Sequence, residues 1–214
     1  MAPFDLRTLQ TWLRSFDLDL SQEQLNQAQI HLETLLLWNR KMNLVSQTRP
    51  DEIITKHLAD SFVTASMLRN DERIADLGSG GGFPGIPISI ARPDSSVFLV
   101  EANQKKASFL AEVAGRCRLP RVTVISDRIE TLPRRPEVAH SLTAVTARAL
   151  WKLPELLAAS ALLLIPGGRL IAMKGPSYLY ELPPIEETRF TLEKVLPYEL
   201  PDSSSRCLLV FRFT

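Results

Sequence analysis

Ile74-Ala75-Asp76-Leu77-Gly78-Ser79-Gly80-Gly81-Gly82-Phe83-Pro84-Gly85 is the stretch of this 214-residue chain on which the fold turns. A short apolar run ends in an acid, and five of the nine glycines then fall within eight positions. The pattern predicts a buried strand that ends in a loop whose backbone N–H groups can approach a ligand closely. Downstream, the apolar runs Val97–Val100, Val122–Ile125, Leu142–Thr146 and Leu170–Met173 alternate with helix-like stretches at Lys105–Cys117 and Pro154–Leu164. Strand alternating with helix predicts an α/β fold, a mostly parallel sheet covered on both faces. Pro166-Gly167-Gly168 reads as a turn feeding the fifth strand, and Phe190–Leu196 and Cys207–Phe213 as two further strands, seven in all.

Upstream, residues 4–68 read as helical. Trp12, Leu13 and Phe16 share a face of a first helix, Asp19 or Ser21 caps a second, and Pro50 opens a third that carries His57 and Phe62. Two segments follow, a helical N-terminal extension over 1–70 and a ligand-binding α/β domain over 71–214, expected to form one compact unit. The N-terminus has no signal-like apolar run, and the longest apolar stretch is far short of a membrane span. Cys117 and Cys207 lack metal spacing and read as free thiols in a reducing compartment. A cytoplasmic monomer without a metal is expected.

The glycine loop admits two cofactor classes. Gly80 to Gly85 satisfies the G-x-G-x-x-G spacing of nicotinamide or flavin dinucleotide sites. In the other frame Asp76 stands two places before Gly78-Ser79-Gly80-Gly81-Gly82. An acid there suits the positively charged methionine moiety of S-adenosylmethionine and would repel a pyrophosphate. Glu101 ends the second strand, where an acid grips a ribose diol in either class. Asp76 and the leading helical segment favour S-adenosylmethionine.

The near-neutral total charge hides a basic block: residues 101–153 carry ten Lys and Arg against five Asp and Glu. Six of the ten are Arg116, Arg118, Arg121, Arg128, Arg134 and Arg135, a cluster suited to phosphate oxygens. Methyl transfer is an in-line displacement, so positioning dominates. Neither cysteine is placed to attack a pyrimidine carbon, and Thr146-Ala147-Arg148-Ala149-Leu150 has no proline pair of the kind that meets exocyclic amines. Lys174 follows the fifth strand, but the fourth ends in Arg148 rather than an acid. A ring nitrogen with a free lone pair, such as guanine N7, needs no base and is consistent with that set.

Asp76–Pro87 resembles the signature of the bacterial ribosomal RNA small subunit methyltransferase G family, also called the glucose-inhibited division protein B family. Trp38–Leu44 and Lys56–Ser61 resemble its N-terminal motifs, and Glu101–Leu110 its second-strand motif; order and spacing agree from about residue 30 to the C-terminus. The resemblance implies a Rossmann-like class I methyltransferase fold, and methylation of guanine N7 in a loop of 16S rRNA using S-adenosylmethionine. By position, Gly78 and Phe83 would line the methionine and adenosine site, Ile129 and Glu130 the adenine, with Asp76, Gly80 and Glu101 completing the cofactor set. Arg148, beyond the fourth strand, would touch donor and acceptor as the catalytic residue. The family often has Ser-Arg-Ala where this chain has Ala147-Arg148-Ala149. Arg116, Arg118, Arg121, Arg134, Arg135 and Lys174 are the candidate RNA contacts. Asn39, four residues from Asn43, suits either RNA or a tie between cap and sheet, and His57 reads as a hydrogen-bonded structural histidine. Other outcomes are a protein or small-molecule methyltransferase, a dinucleotide oxidoreductase, or a non-catalytic RNA-binding assembly factor.

Overall fold

The computed structural model describes residues 5–214, so the first residue of the expected helical stretch and the three before it lie outside the description. Asp5 caps α1 (Leu6–Leu13), its side chain accepting from Thr8 N–H. Ser21, not Asp19, caps α2 (Gln22–Asn39), and Gln24 returns the favour to the Ser21 N–H, so two orphan donors are satisfied at once. Pro50 opens α3 (Pro50–Ile53), which runs through a π-helical turn (Ile54–Leu58) into α4 (Ala59–Ser66). The alternation then begins: β1 (Arg73–Leu77), α5 (Gly85–Ala91), β2 (Ser96–Val100), α6 (Gln104–Arg116), β3 (Val122–Ile125), β4 (Leu142–Arg148), α7 (Leu153–Ala161), β5 (Leu164–Lys174), β6 (Phe190–Glu199) and β7 (Ser205–Phe213).

The sheet order is β3-β2-β1-β4-β5-β7-β6, with β7 alone antiparallel to its neighbours. Successive residues of β1 alternate between two cores. Ile74 packs into the layer of α2, α4, α5 and α6, while Ala75 and Leu77 face the layer that holds Leu153, Leu156 and Leu157 of α7. The N-terminal helices therefore do not stand apart from the sheet. Leu9, Leu35, Phe62 and Ile74 belong to one continuous buried cluster.

One expected turn is different in the structure. Pro166-Gly167-Gly168 lies inside β5, where the register jumps from Leu142↔Leu164 to Ala144↔Arg169. The four intervening residues bulge out of the strand, as glycine and proline allow at an irregular position. Asn43 lies beyond the end of α2, whose last residue is Asn39.

Candidate active site and cofactor cleft

Strands β2 and β3 lie to one side of β1, and β4 and β5 to the other. The connection reverses between β1 and β4, and ligands of open α/β sheets bind in the crevice beyond the strand ends at such a point. The loop after β1 lies there. Gly78 N–H and Ser79 N–H both donate to the Val100 carbonyl at 2.9 and 3.0 Å, tying the loop to the end of β2. Gly78 takes φ +72°, and a Cβ on it would stand 2.8 Å from Leu150 Cδ1. Both conformation and space therefore call for glycine.

Glu101 is set at the neighbouring strand end. Its Oε2 accepts from Gly80 N–H at 2.9 Å and its Oε1 from Asn103 N–H at 2.8 Å. Each carboxylate oxygen keeps a further lone pair, and the side chain is half-buried, so two ribose hydroxyls can be received without displacing either backbone donor. Ile129 and Glu130 follow β3 on a 3₁₀ turn (Ile129–Arg134) and line a groove of about 600 Å³ against Trp151 and α7. A glycine cradle beside an acid-tipped strand fits S-adenosylmethionine. The dinucleotide reading fails on topology, since that fold uses an all-parallel 3-2-1-4-5-6 order and here an antiparallel strand separates β5 from β6.

Two of the expected cofactor residues are buried. Asp76 is wholly buried and points beneath the loop, where Oδ2 accepts from Gly85 N–H at 3.0 Å. Burial pushes its carboxyl up to about 6, against the hydrogen bonds from Ser79, Gly85 and Thr146. It shapes the loop from below, with Oδ1 3.5 Å from the Thr146 hydroxyl. Phe83 is also buried, packed against two imidazoles: ring centroids are 4.7 Å from His31 and 5.1 Å from His57. It is a pillar under the site rather than a lining residue.

Arg148, at the end of β4, rests on that pillar with its guanidinium 5.9 Å from the Phe83 ring. One of its Nη2 protons is donated to His57 Nδ1, and Nε lies 3.7 Å from Asp60 Oδ2. Nη1 is buried and has no hydrogen-bond partner among the described residues. Because His57 Nδ1 accepts, its proton is assigned to Nε2, which donates to Gln47 Oε1 at 2.6 Å. Burial, then the Arg148 charge, pushes the imidazole down to about 3, so it is neutral at physiological pH. Asp60 also accepts from the Tyr198 hydroxyl and lies 3.9 Å from Arg206 Nε. The π-helical turn that carries His57 widens the helix where the imidazole reaches Arg148, a common device at functional sites. His31, below, donates Nε2–H to the Gly81 carbonyl at 2.9 Å, and burial pushes its pKa down to about 4.

The family profile described as rRNA small subunit methyltransferase G matches residues 24–208. The chain belongs to this family. A ribosomal RNA small subunit methyltransferase G of Syntrophotalea carbinolica is 39% identical over 94% of each chain. One from Desulfitobacterium hafniense is 39% identical over 74% of this chain and 66% of its own. Among solved structures, TrmN from Thermus thermophilus superposes with a TM-score of 0.55 at 20% identity, covering 75% of this chain and 53% of that one. TYW2 of M. jannaschii in complex with AdoMet gives 0.56 at 17%, covering 73% and 74%. Those likenesses show the fold.

The candidate RNA contacts are sorted by the topology. Helix α6 starts at the cofactor edge and runs back, so Arg116 at its end, and Arg118 and Arg121 before β3, lie at the opposite edge of the sheet. Arg116 also faces Glu112 at 3.6 Å. Arg135 is held by Asp127 and Glu137 at 3.0 and 3.2 Å, leaving Arg134 as the exposed arginine of its pair. Lys174 Nζ donates to the Trp151 carbonyl at 2.8 Å and to Glu181 Oε2 at 2.6 Å, and is not a free phosphate contact. The Asn39 amide is spent on the turn after α2, accepting from Leu44 and Val45 N–H and donating to the Val45 and Gln47 carbonyls. These partners all lie in that turn, so the side chain does not tie the helical cap to the sheet. Sequence reasoning gave no role to Asp60, Tyr198 or Arg206. Asp60 lies within Lys56–Ser61, but Tyr198 is 138 positions away and carries no local signal.

Proposed function

We propose that this chain methylates N7 of a guanosine in 16S rRNA as a cytoplasmic monomer, with S-adenosylmethionine as donor. The observation that carries the reading is Arg148 at the end of β4, its guanidinium held by His57 and Asp60 beside the cofactor loop. The names of the relatives support the substrate class. S-adenosylmethionine, when bound, supplies a methyl group on a positively charged sulfur, and that charge passes to the guanine ring with the methyl.

The chain's own residues hold and orient. The Gly78–Gly82 backbone closes over one end of the donor, Glu101 accepts from the ribose hydroxyls, and Ile129 and Glu130 border the adenine. The exposed part of the Arg148 guanidinium donates to guanine O6, the acceptor next to N7, and turns the lone pair toward the methyl. A guanidinium beside a ring that becomes cationic would oppose the reaction in a low-dielectric site. Asp60 beneath it offsets that charge. No proton has to be removed, so the neutral His57 acts only to aim Arg148. The helices of 1–70 serve 71–214 as the floor of the loop, through His31 and Gly81.

The test is nucleoside analysis of 16S rRNA from cells lacking this protein. One 7-methylguanosine is expected to disappear and to be restored by purified protein with S-adenosylmethionine. Unchanged 7-methylguanosine content refutes the reading.

A further inference from the structure

A polar cavity of about 350 Å³ adjoins Arg148 beyond the ends of β4 and β5, lined by Asp60, Met173, Lys174, Glu181 and Arg206 among others. Its two carboxylates differ. Asp60 has Oδ1 taken by Tyr198 and Oδ2 faced by two arginines, and is 3% exposed. Glu181 has Oε2 held by Lys174 at 2.6 Å, while Oε1 accepts no hydrogen bond among the described residues; the side chain is 28% exposed. Lys174 is itself anchored on the Trp151 carbonyl, so the carboxylate is held in place. Glu181 ends the 3₁₀ turn Pro176–Glu181, whose Tyr180 is 94% exposed, an aromatic face on the same turn.

Guanine differs from adenine along the edge that bears N1–H and the N2 amino group. Both are donors, side by side, and a carboxylate accepts from such a pair in the way it accepts from a guanidinium fork. We propose that Glu181 is the guanine-selecting residue, reading N1–H and the N2 amino group of a base turned out of its stack into this cavity. This rests on the guanine N7 reading above. Arg148 then serves O6 and Glu181 the far edge, with Lys174 the brace that holds Glu181 rather than a grip on phosphate.

The pairing would also aid the chemistry. Methylation at N7 makes the ring cationic, which sharpens N1–H and the amino group as donors. A carboxylate facing them therefore binds the transition state more tightly than the substrate. Glu181 is thus expected to act on kcat as well as on KM.

The experiment uses the full chain and 16S rRNA from cells lacking it, after the methylated guanosine has been located. A second RNA carries inosine at that single position, which keeps O6, N7 and N1–H but lacks the amino group. Wild type should prefer guanosine over inosine in kcat/KM by roughly 10- to 100-fold. Glu181→Gln should lower kcat on guanosine by a similar factor and bring the guanosine-to-inosine ratio towards one, with S-adenosylmethionine affinity unchanged. Glu181→Asp, which keeps the charge, should recover part of the ratio. A variant that loses activity on both RNAs equally, or retains the wild-type ratio, overturns the assignment. Wild type that forms no 7-methylguanosine on the guanosine RNA and no 7-methylinosine on the inosine RNA refutes the function reading itself, and the inference falls with it.

Discussion

Replacing Asp60 by asparagine changes one atom and tests the cluster that holds Arg148. The carboxylate is 3% exposed and faces Arg148 at 3.7 Å and Arg206 at 3.9 Å. Asparagine preserves an acceptor for Tyr198 but leaves two guanidiniums without a counter-charge. Breaking a fully buried pair costs about 3–5 kcal/mol. Arg148 is 20% exposed and Arg206 32%, so water screens part of that, and about 2–4 kcal/mol is expected. For a chain of this size each kcal/mol lowers Tm by about 2–4 °C, so a fall of roughly 6–12 °C follows at about 3 kcal/mol. Thermal and urea melts at pH 7 measure it. The sharper check is a double-mutant cycle: Arg206→Met on the Asp60→Asn background removes an orphaned cation, so the double variant should lose less than the two single losses added together. A single variant within about 0.5 kcal/mol of wild type, or an additive cycle, would refute the claim that Asp60 balances both arginines.

Gly78→Ala forces a side chain to φ +72° and against Leu150, which costs about 1–2 kcal/mol of stability; titration with S-adenosylmethionine should show at least tenfold weaker binding while the melt stays cooperative. Asp76 has a folded pKa near 6 against an ordinary 3.8, so its contribution is fully present below about 3.8 and lost as pH rises through about 6. Asp76→Asn removes that loss, and the stability of the variant relative to wild type should rise by about 2 kcal/mol between pH 4.5 and pH 7, read from urea melts. Arg148→Lys keeps a charge but loses the planar fork held by His57 and Asp60; kcat on 16S rRNA should fall by about 100-fold or more with donor affinity little changed, and wild-type turnover would sink the role given to that guanidinium.

The parts of the molecule written in contiguous residues were legible. Ile74 to Gly85 announced a strand and a ligand loop because glycine and apolar runs act locally, and Ser21 was one of two residues offered as the start of a helix. What was hidden depends on which way a chain returns. The arginines around 116–121 looked like one patch with Arg134 and Arg135, but a helix of thirteen residues carries its end to the opposite rim of the sheet. Asp76 carries the right chemistry for a sulfonium ligand, yet strand pleating turns it inwards to Gly85. Gln47, His57, Asp60, Arg148, Tyr198 and Arg206 become neighbours only when four segments meet, and no spacing rule encodes that meeting.

The contact between His31 and the Gly81 carbonyl spans fifty residues of chain. During synthesis α2 leaves the ribosome before the loop it supports has been translated, and it offers a buried imidazole with nothing to cover it. The helices can gather early, but this hydrogen bond, and with it the set of the glycine turn, has to wait until β1 and its loop arrive. Loop closure over such a distance is a slow, late kind of ordering compared with helix formation. A nascent chain of this protein therefore sets its glycine turn only after β1 and its loop have joined the N-terminal helices, and destabilising those helices would disturb the loop without touching the residues that line it.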